Sequence, residues 1–200
     1  MSAKARDIAK WGFDRAAALT GLIILSPVLL VISACIKMSQ KHESIFFTQL
    51  RVGQHGHLFR IVKFRTMKGE GDESSVSVSG DSRITRLGAV LRRYKLDELP
   101  ELWNVLKGDM SFVGPRPDVP GYADKLSGDD RLILTLKPGI TGPATLKYRH
   151  EETLLAQQPD PKKYNDEVIW PDKVRINREY VDNHNFLGDL ALILKTVMPI

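Results

Sequence analysis

The chain has 200 residues, 42% hydrophobic and 26% charged, a balance that excludes a disordered chain, a collagen-like repeat and a polytopic membrane protein. Its single cysteine, Cys35, builds neither a disulfide framework nor a cysteine zinc site. The net charge of +5 is uneven: residues 1–68 hold eleven Lys/Arg against three acids and the rest 18 against 21; the basic block suits an anionic partner such as lipid headgroups, phosphates or nucleic acid, and the acid excess after residue 68, with the apolar run described next, argues against the last.

Inside the basic third, residues 16–36 run for 21 positions without a charge. That is enough to span a hydrocarbon core of about 30 Å. Ser26-Pro27 falls at the middle. Pro27 has no N–H, so the Ile23 carbonyl loses its donor and the helix is expected to break there; the Ser26 hydroxyl can bond back one turn and relieve the loss. Lys4, Arg6, Lys10 and Arg15 precede the run, and Lys37, Lys41 and Arg51 follow it. Both flanks therefore favour the cytoplasmic side. A re-entrant, broken helix satisfies both, with Cys35 facing lipid. The expected division is 1–40 in the membrane and 41–200 as a catalytic domain on its cytoplasmic face.

Residues 46–67 read as extended, with a hairpin turn between Gly53 and Gly56. His55 and His57 lie at that turn without an obvious third ligand, which favours a surface role. Lys63 and Arg65 flank Phe64 and so share one face of the strand, where both are candidates for binding substrate phosphate. Residues 69–81 are small and polar and read as a loop. A helix capped by Asp81 or Ser82 follows, with Ile84, Leu87, Val90, Leu91 and Tyr94 on its apolar face. A second helix is expected with Asp97 as N-cap, Pro100 in its first turn, Leu99, Leu102, Trp103 and Leu106 inward, and Gly108 as stop. Residues 151–158 and 172–181 look helical. Residues 186–200 carry an apolar stripe that fits either a membrane surface or a core.

Asp97-Glu98 is the most suggestive pair. At a helix N-terminus the dipole lowers a carboxylate pKa and attracts phosphate, so Asp97 is expected to be ionised, as nucleophile or magnesium ligand. Arg92 precedes it by five residues, and Arg116 is held between Pro115 and Pro117. A guanidinium fork there grips phosphate oxygens.

These residues carry a family resemblance. Ser26-Pro27, Lys63-Phe64-Arg65-Thr66-Met67, the block from Leu96-Asp97-Glu98-Leu99-Pro100 to Pro115-Arg116-Pro117, and Lys137-Pro138-Gly139-Ile140-Thr141-Gly142 resemble the small monotopic phosphoglycosyl transferases. The resemblance implies transfer of a phosphosugar from a UDP-sugar to polyprenyl phosphate with Mg²⁺, releasing UMP at the bacterial inner membrane. It implies Asp97 as the nucleophile, Glu98 as metal support, and Lys63, Arg92 and Arg116 as phosphate ligands. Arg149 matches a family arginine near the nucleotide, although residues 143–149 depart from the family's common form. The expected fold is α+β: a re-entrant membrane helix and a mainly helical domain with a small sheet. A magnesium-dependent membrane phosphohydrolase and a non-catalytic membrane adaptor remain as other readings. Homodimerisation stays open.

Overall fold

The computed structural model describes residues 3–69 and 81–198; the expected loop at 69–81 lies almost wholly outside them. The fold is α+β. Contacts divide the described residues into two compact units, one of residues 3–50, 60–69 and 82–110, the other chiefly of 51–59 and 111–198.

In the first unit, α1 (Ala3–Ser39) is a single helix of 37 residues. At 1.5 Å per residue it is about 55 Å long, more than a bilayer core requires. The expected break at Ser26-Pro27 is not an interruption, because α1 continues through Pro27. The physical reason is local: the Ile23 carbonyl, deprived of the Pro27 donor, accepts the Ser26 hydroxyl at 2.8 Å. One stripe of α1 is buried, at Asp14, Ala18, Ile32 and Ile36. Leu19, Ile23, Ile24, Leu30, Val31 and Cys35 are exposed. An apolar helix surface this open to solvent is long and apolar enough to cross a membrane.

Strands β1 (Phe46–Val52) and β2 (Leu58–Phe64) form a two-stranded sheet. Their connection is the expected tight turn, Gln54–Gly56, with His55 at φ 57° and Gly56 at φ 83°. Helix α2 (Arg86–Arg93) is capped by Thr85, whose hydroxyl accepts Gly88 N–H at 2.8 Å, not by Asp81 or Ser82. Met67 and Ile84 bridge in antiparallel fashion and Thr85 N–H donates to the Thr66 carbonyl at 2.9 Å, so the helix starts only after Thr85. Gly88 is needed at that contact, since a Cβ there would lie 2.0 Å from the Thr66 carbonyl oxygen. Helix α3 (Glu101–Lys107) ends at Gly108, which caps it at φ 97° as expected. Ile32, Ile36, Phe64 and Leu91 form the core, with Leu29, Ile45, Leu87, Leu96 and Leu99 against it.

In the second unit, β3 (Ser111–Val113) and β4 (Gly139–Thr141) pair in parallel, Ser111 opposite Gly139 and Val113 opposite Thr141. Short helices follow: α4 (Pro143–Lys147), α5 (Glu151–Ala156) and α6 (Pro161–Tyr164). A π turn at Asn165–Ile169 leads into α7 (Trp170–Asn183). The core joins Val52, Ala123, Ile133, Leu134 and Val174. Helix α8 (Phe186–Val197) is fastened by polar groups: Tyr180 Oη donates to Asp189 at 2.6 Å, and Thr196 and Thr141 hydroxyls meet at 2.7 Å. Its apolar residues Leu187, Leu194 and Val197, and Met198 just after it, stay exposed.

Candidate functional site

The first unit gathers Lys63, Arg92, Asp97 and Glu98. Asp97 is not the N-cap of an α-helix. It sits inside a 3₁₀ turn, Leu96–Glu98, which Lys95 opens in the left-handed region at φ 55°. A non-glycine residue there costs about 1–3 kcal/mol, a kind of strain that clusters at functional sites. The turn buries Asp97 to 9% exposure.

Lys63, at the end of β2, reaches this turn. Its ammonium donates to Glu98 Oε1 at 2.8 Å and pairs with Glu101 Oε1 at 3.2 Å. Glu101 has no assigned role in the sequence reading, yet it is completely buried. One cation thus ties two carboxylates beside a third.

Burial raises the Asp97 pKa first, and repulsion from Glu98 adds to it; Lys63, Lys95 and Arg92 act the other way. The expected lowering at a helix terminus is therefore reversed. A short 3₁₀ turn has little dipole to offer, and desolvation outweighs it. The raised pKa makes the carboxylate more basic, which suits a nucleophile.

Asn104 holds the arrangement from behind. Its Oδ1 accepts Val62 N–H at 3.0 Å, and its Nδ2 donates to the Arg60 carbonyl at 2.7 Å. The side chain thereby substitutes for a neighbouring strand and fixes β2, with Lys63, against α3. Glu101 and Asn104 are hard to recognise from sequence, since each is a polar residue at a position that burial alone makes distinctive.

Arg65 lies in the same unit but is committed elsewhere. Its Nε donates to the Ser44 carbonyl at 2.9 Å, its Nη1 to Gly69 at 3.1 Å, and it pairs with Glu43 at 3.4 Å. Arg116 and Arg149 belong to the second unit. The prolines around Arg116 are pinned: the Pro115 carbonyl accepts Gly139 N–H at 2.9 Å and the Pro117 carbonyl accepts Arg51 Nη1 at 3.2 Å. Arg149 Nη2 donates to the Lys195 and Thr196 carbonyls, at 2.7 and 3.3 Å, at the C-terminal end of α8.

The donor set suits magnesium. Asp97 Oδ1 is buried with no hydrogen-bond partner, and Glu98 is its neighbour. Among the described residues, no three His, Cys, Asp or Glu side chains are grouped as a metal cage, and His55 and His57 are not part of one. Magnesium takes one or two carboxylates and completes its shell with water and substrate phosphates, so a pair is what such a site would offer.

Residues 5–200 match the family model described as bacterial sugar transferase. The chain is 32% identical over 207 residues to the exopolysaccharide production protein ExoY of Rhizobium meliloti (strain 1021), spanning 95% of this chain and 84% of that protein. It is 31% identical over 196 residues to the UDP-glucose:undecaprenyl-phosphate glucose-1-phosphate transferase of Caulobacter vibrioides, spanning 96% of this chain and 69% of that one. It is 32% identical over 196 residues to the UDP-N-acetylgalactosamine-undecaprenyl-phosphate N-acetylgalactosaminephosphotransferase of Aeromonas hydrophila, spanning 96% and 43%.

Proposed function

The chain belongs to the bacterial sugar transferase family, and on that premise we propose that it transfers a sugar phosphate from a UDP-sugar to undecaprenyl phosphate through a covalent intermediate on Asp97. It is a phosphoglycosyl transferase, which sets aside the adaptor reading. The observation that carries the mechanism is the buried, unpartnered Asp97 Oδ1 beside the Lys63–Glu98–Glu101 cluster.

In the first step an Asp97 carboxylate oxygen attacks the β-phosphorus of the UDP-sugar. The bond from that phosphorus to the bridging oxygen breaks, and UMP leaves with the electron pair. In the second step an oxygen of undecaprenyl phosphate attacks the same phosphorus, and the Asp97 carboxylate departs unchanged. Splitting the transfer keeps the two anionic substrates from having to react directly. Lys63 and Arg92 offset phosphate charge near the turn, and Arg116 and Arg149 are assigned to the donor as the family resemblance implies. Bound magnesium, held by Asp97 and Glu98, would neutralise pyrophosphate charge and stabilise the leaving phosphate.

We place residues 1–40 in the inner membrane as a re-entrant element, α1 staying helical through Pro27 and bending there, with residues 41–200 on the cytoplasmic face. Packing in the first unit supports this. Arg15, just before the apolar run, bonds the Lys107 carbonyl at 2.9 Å, whereas Ile36, at its end, packs with Phe64 and Leu91. The same charged unit thus touches both ends of the run. Were α1 to cross the bilayer, the charged elements that touch both ends of the run would be drawn into hydrocarbon. The exposed apolar residues of α8 suit a lipid surface.

Trapping tests the intermediate. Incubation with a UDP-sugar and no lipid acceptor should release UMP once per chain and leave a hydroxylamine-sensitive adduct on the peptide containing Asp97. An adduct on another residue, or the same yield from Asp97→Asn, would refute the assignment.

A further inference from the structure

We propose that Arg15 is a positioning residue: it clamps α1 to the C-terminal end of α3 and so fixes the height of the Asp97 turn above the lipid. The inference rests on the two-step transfer proposed above. Arg15 Nη2 donates to the carbonyl of Lys107, the last residue of α3, at 2.9 Å. The final carbonyls of a helix lack intrahelical donors and carry the negative end of its dipole, so a guanidinium is well matched there. Gly108 makes room for it, since a Cβ at that position would lie 2.5 Å from Nη2. On its other side the guanidinium lies over the Trp11 ring, 3.9 Å from the centroid.

Farther along α1 the contact with α3 is apolar. Gly21 faces Leu102, whose Cδ1 would lie 3.4 Å from a Cβ at that glycine. Apolar surfaces hold two helices together but tolerate sliding and rotation. A directional hydrogen bond at one end removes that freedom. Helix α3 has seven residues, so about 10 Å of rigid helix carries the constraint from Lys107 back to the residues that follow Asp97.

The two substrates feel this constraint differently. A UDP-sugar arrives from water and can reach Asp97 whatever the depth of the turn. The phosphate of undecaprenyl phosphate is confined to the headgroup plane, so the aspartyl phosphosugar must be presented at that level. Loosening the clamp should therefore spare the first half-reaction and slow the second. In a two-step substituted-enzyme scheme, kcat/KM for each substrate reports its own half-reaction, so the effects separate.

The experiment uses the full chain in nanodiscs of anionic phospholipid, comparing wild type, Arg15→Met and Arg15→Leu. For both variants, kcat/KM for undecaprenyl phosphate should fall about tenfold, the size expected when a charged hydrogen bond is lost. For both, kcat/KM for the UDP-sugar and the UMP burst without acceptor should stay within about twofold, below what one such bond carries. Equal loss for both substrates, or no loss for the acceptor, overturns the clamp. Hydrogen exchange gives a readout independent of turnover. The Gly108, Asp109 and Met110 amides, all bonded to the Asn104 carbonyl, should exchange faster in Arg15→Met. Unchanged exchange overturns the clamp, whereas a wild type that releases no UMP from any UDP-sugar is a failure of the transferase reading alone.

Discussion

Replacing Asn104 with alanine should unfasten β2 from α3. Asn104 is 1% exposed. Its side chain serves two backbone groups of β2, accepting Val62 N–H at 3.0 Å and donating to the Arg60 carbonyl at 2.7 Å. A weaker contact reaches Asp109 Oδ2 at 3.4 Å. Each part-buried backbone group left unsatisfied costs about 1–2 kcal/mol, and two of them give about 2–4 kcal/mol. Against a total stability of about 5–15 kcal/mol, that is a large fraction. Urea unfolding in a fixed detergent, followed by near-ultraviolet circular dichroism, would measure it. Turnover should fall as well, because Lys63 is the next residue after Val62 and loses its fixed approach to Glu98. Asn104→Leu should fare no better, since it fills the volume but leaves the same backbone groups unserved. A loss under about 0.5 kcal/mol for alanine, the scale of a neutral surface change, would refute the reasoning.

Three further outcomes follow from the same geometry. Burial and Glu98 raise the Asp97 pKa above its ordinary 3.8, so Asp97 favours the folded state fully only below pH 3.8, and that contribution is lost as pH rises through the raised folded value. Asp97→Asn should therefore be inactive yet more stable than wild type near neutral pH, with the gain vanishing in acid; parallel pH–stability curves would contradict this. Lys63→Met removes the ammonium that pairs Glu98 with the fully buried Glu101 and should cost about 3 kcal/mol along with turnover, read by thermal unfolding and UMP release. Gly88→Ala forces a Cβ to within 2.0 Å of the Thr66 carbonyl oxygen and should cost roughly 3 kcal/mol or more; a wild-type unfolding midpoint would contradict that packing.

Local chemistry makes several elements legible in the sequence. The uncharged run, the Gly53–Gly56 turn and the Gly108 stop depend on composition and backbone freedom within a few residues. Other features depend on distant partners. Asp81, Ser82 and Thr85 can all cap α2, and only the Met67–Ile84 bridge selects Thr85. Asp97 followed by Pro100 fits an N-cap, yet the left-handed Lys95 turns the chain into a 3₁₀ segment first. Trp103 was expected inward but is 55% exposed, while Asn104 is buried. α3 is thus rotated by about one residue, or 100°. β2 sets that rotation by offering backbone groups that only the asparagine can satisfy. The pairing of Lys63 with Glu101 is likewise invisible to periodicity, because it joins a strand to a helix nearly forty positions away.

The most direct test of the account is UMP release from a panel of UDP-sugars with magnesium, with and without undecaprenyl phosphate, for wild type and Asp97→Asn. Wild type should give a single turnover without the lipid and sustained release with it, and Asp97→Asn none. Sustained release without the lipid would identify water as acceptor and a phosphohydrolase instead; turnover by Asp97→Asn would remove Asp97 from the chemistry.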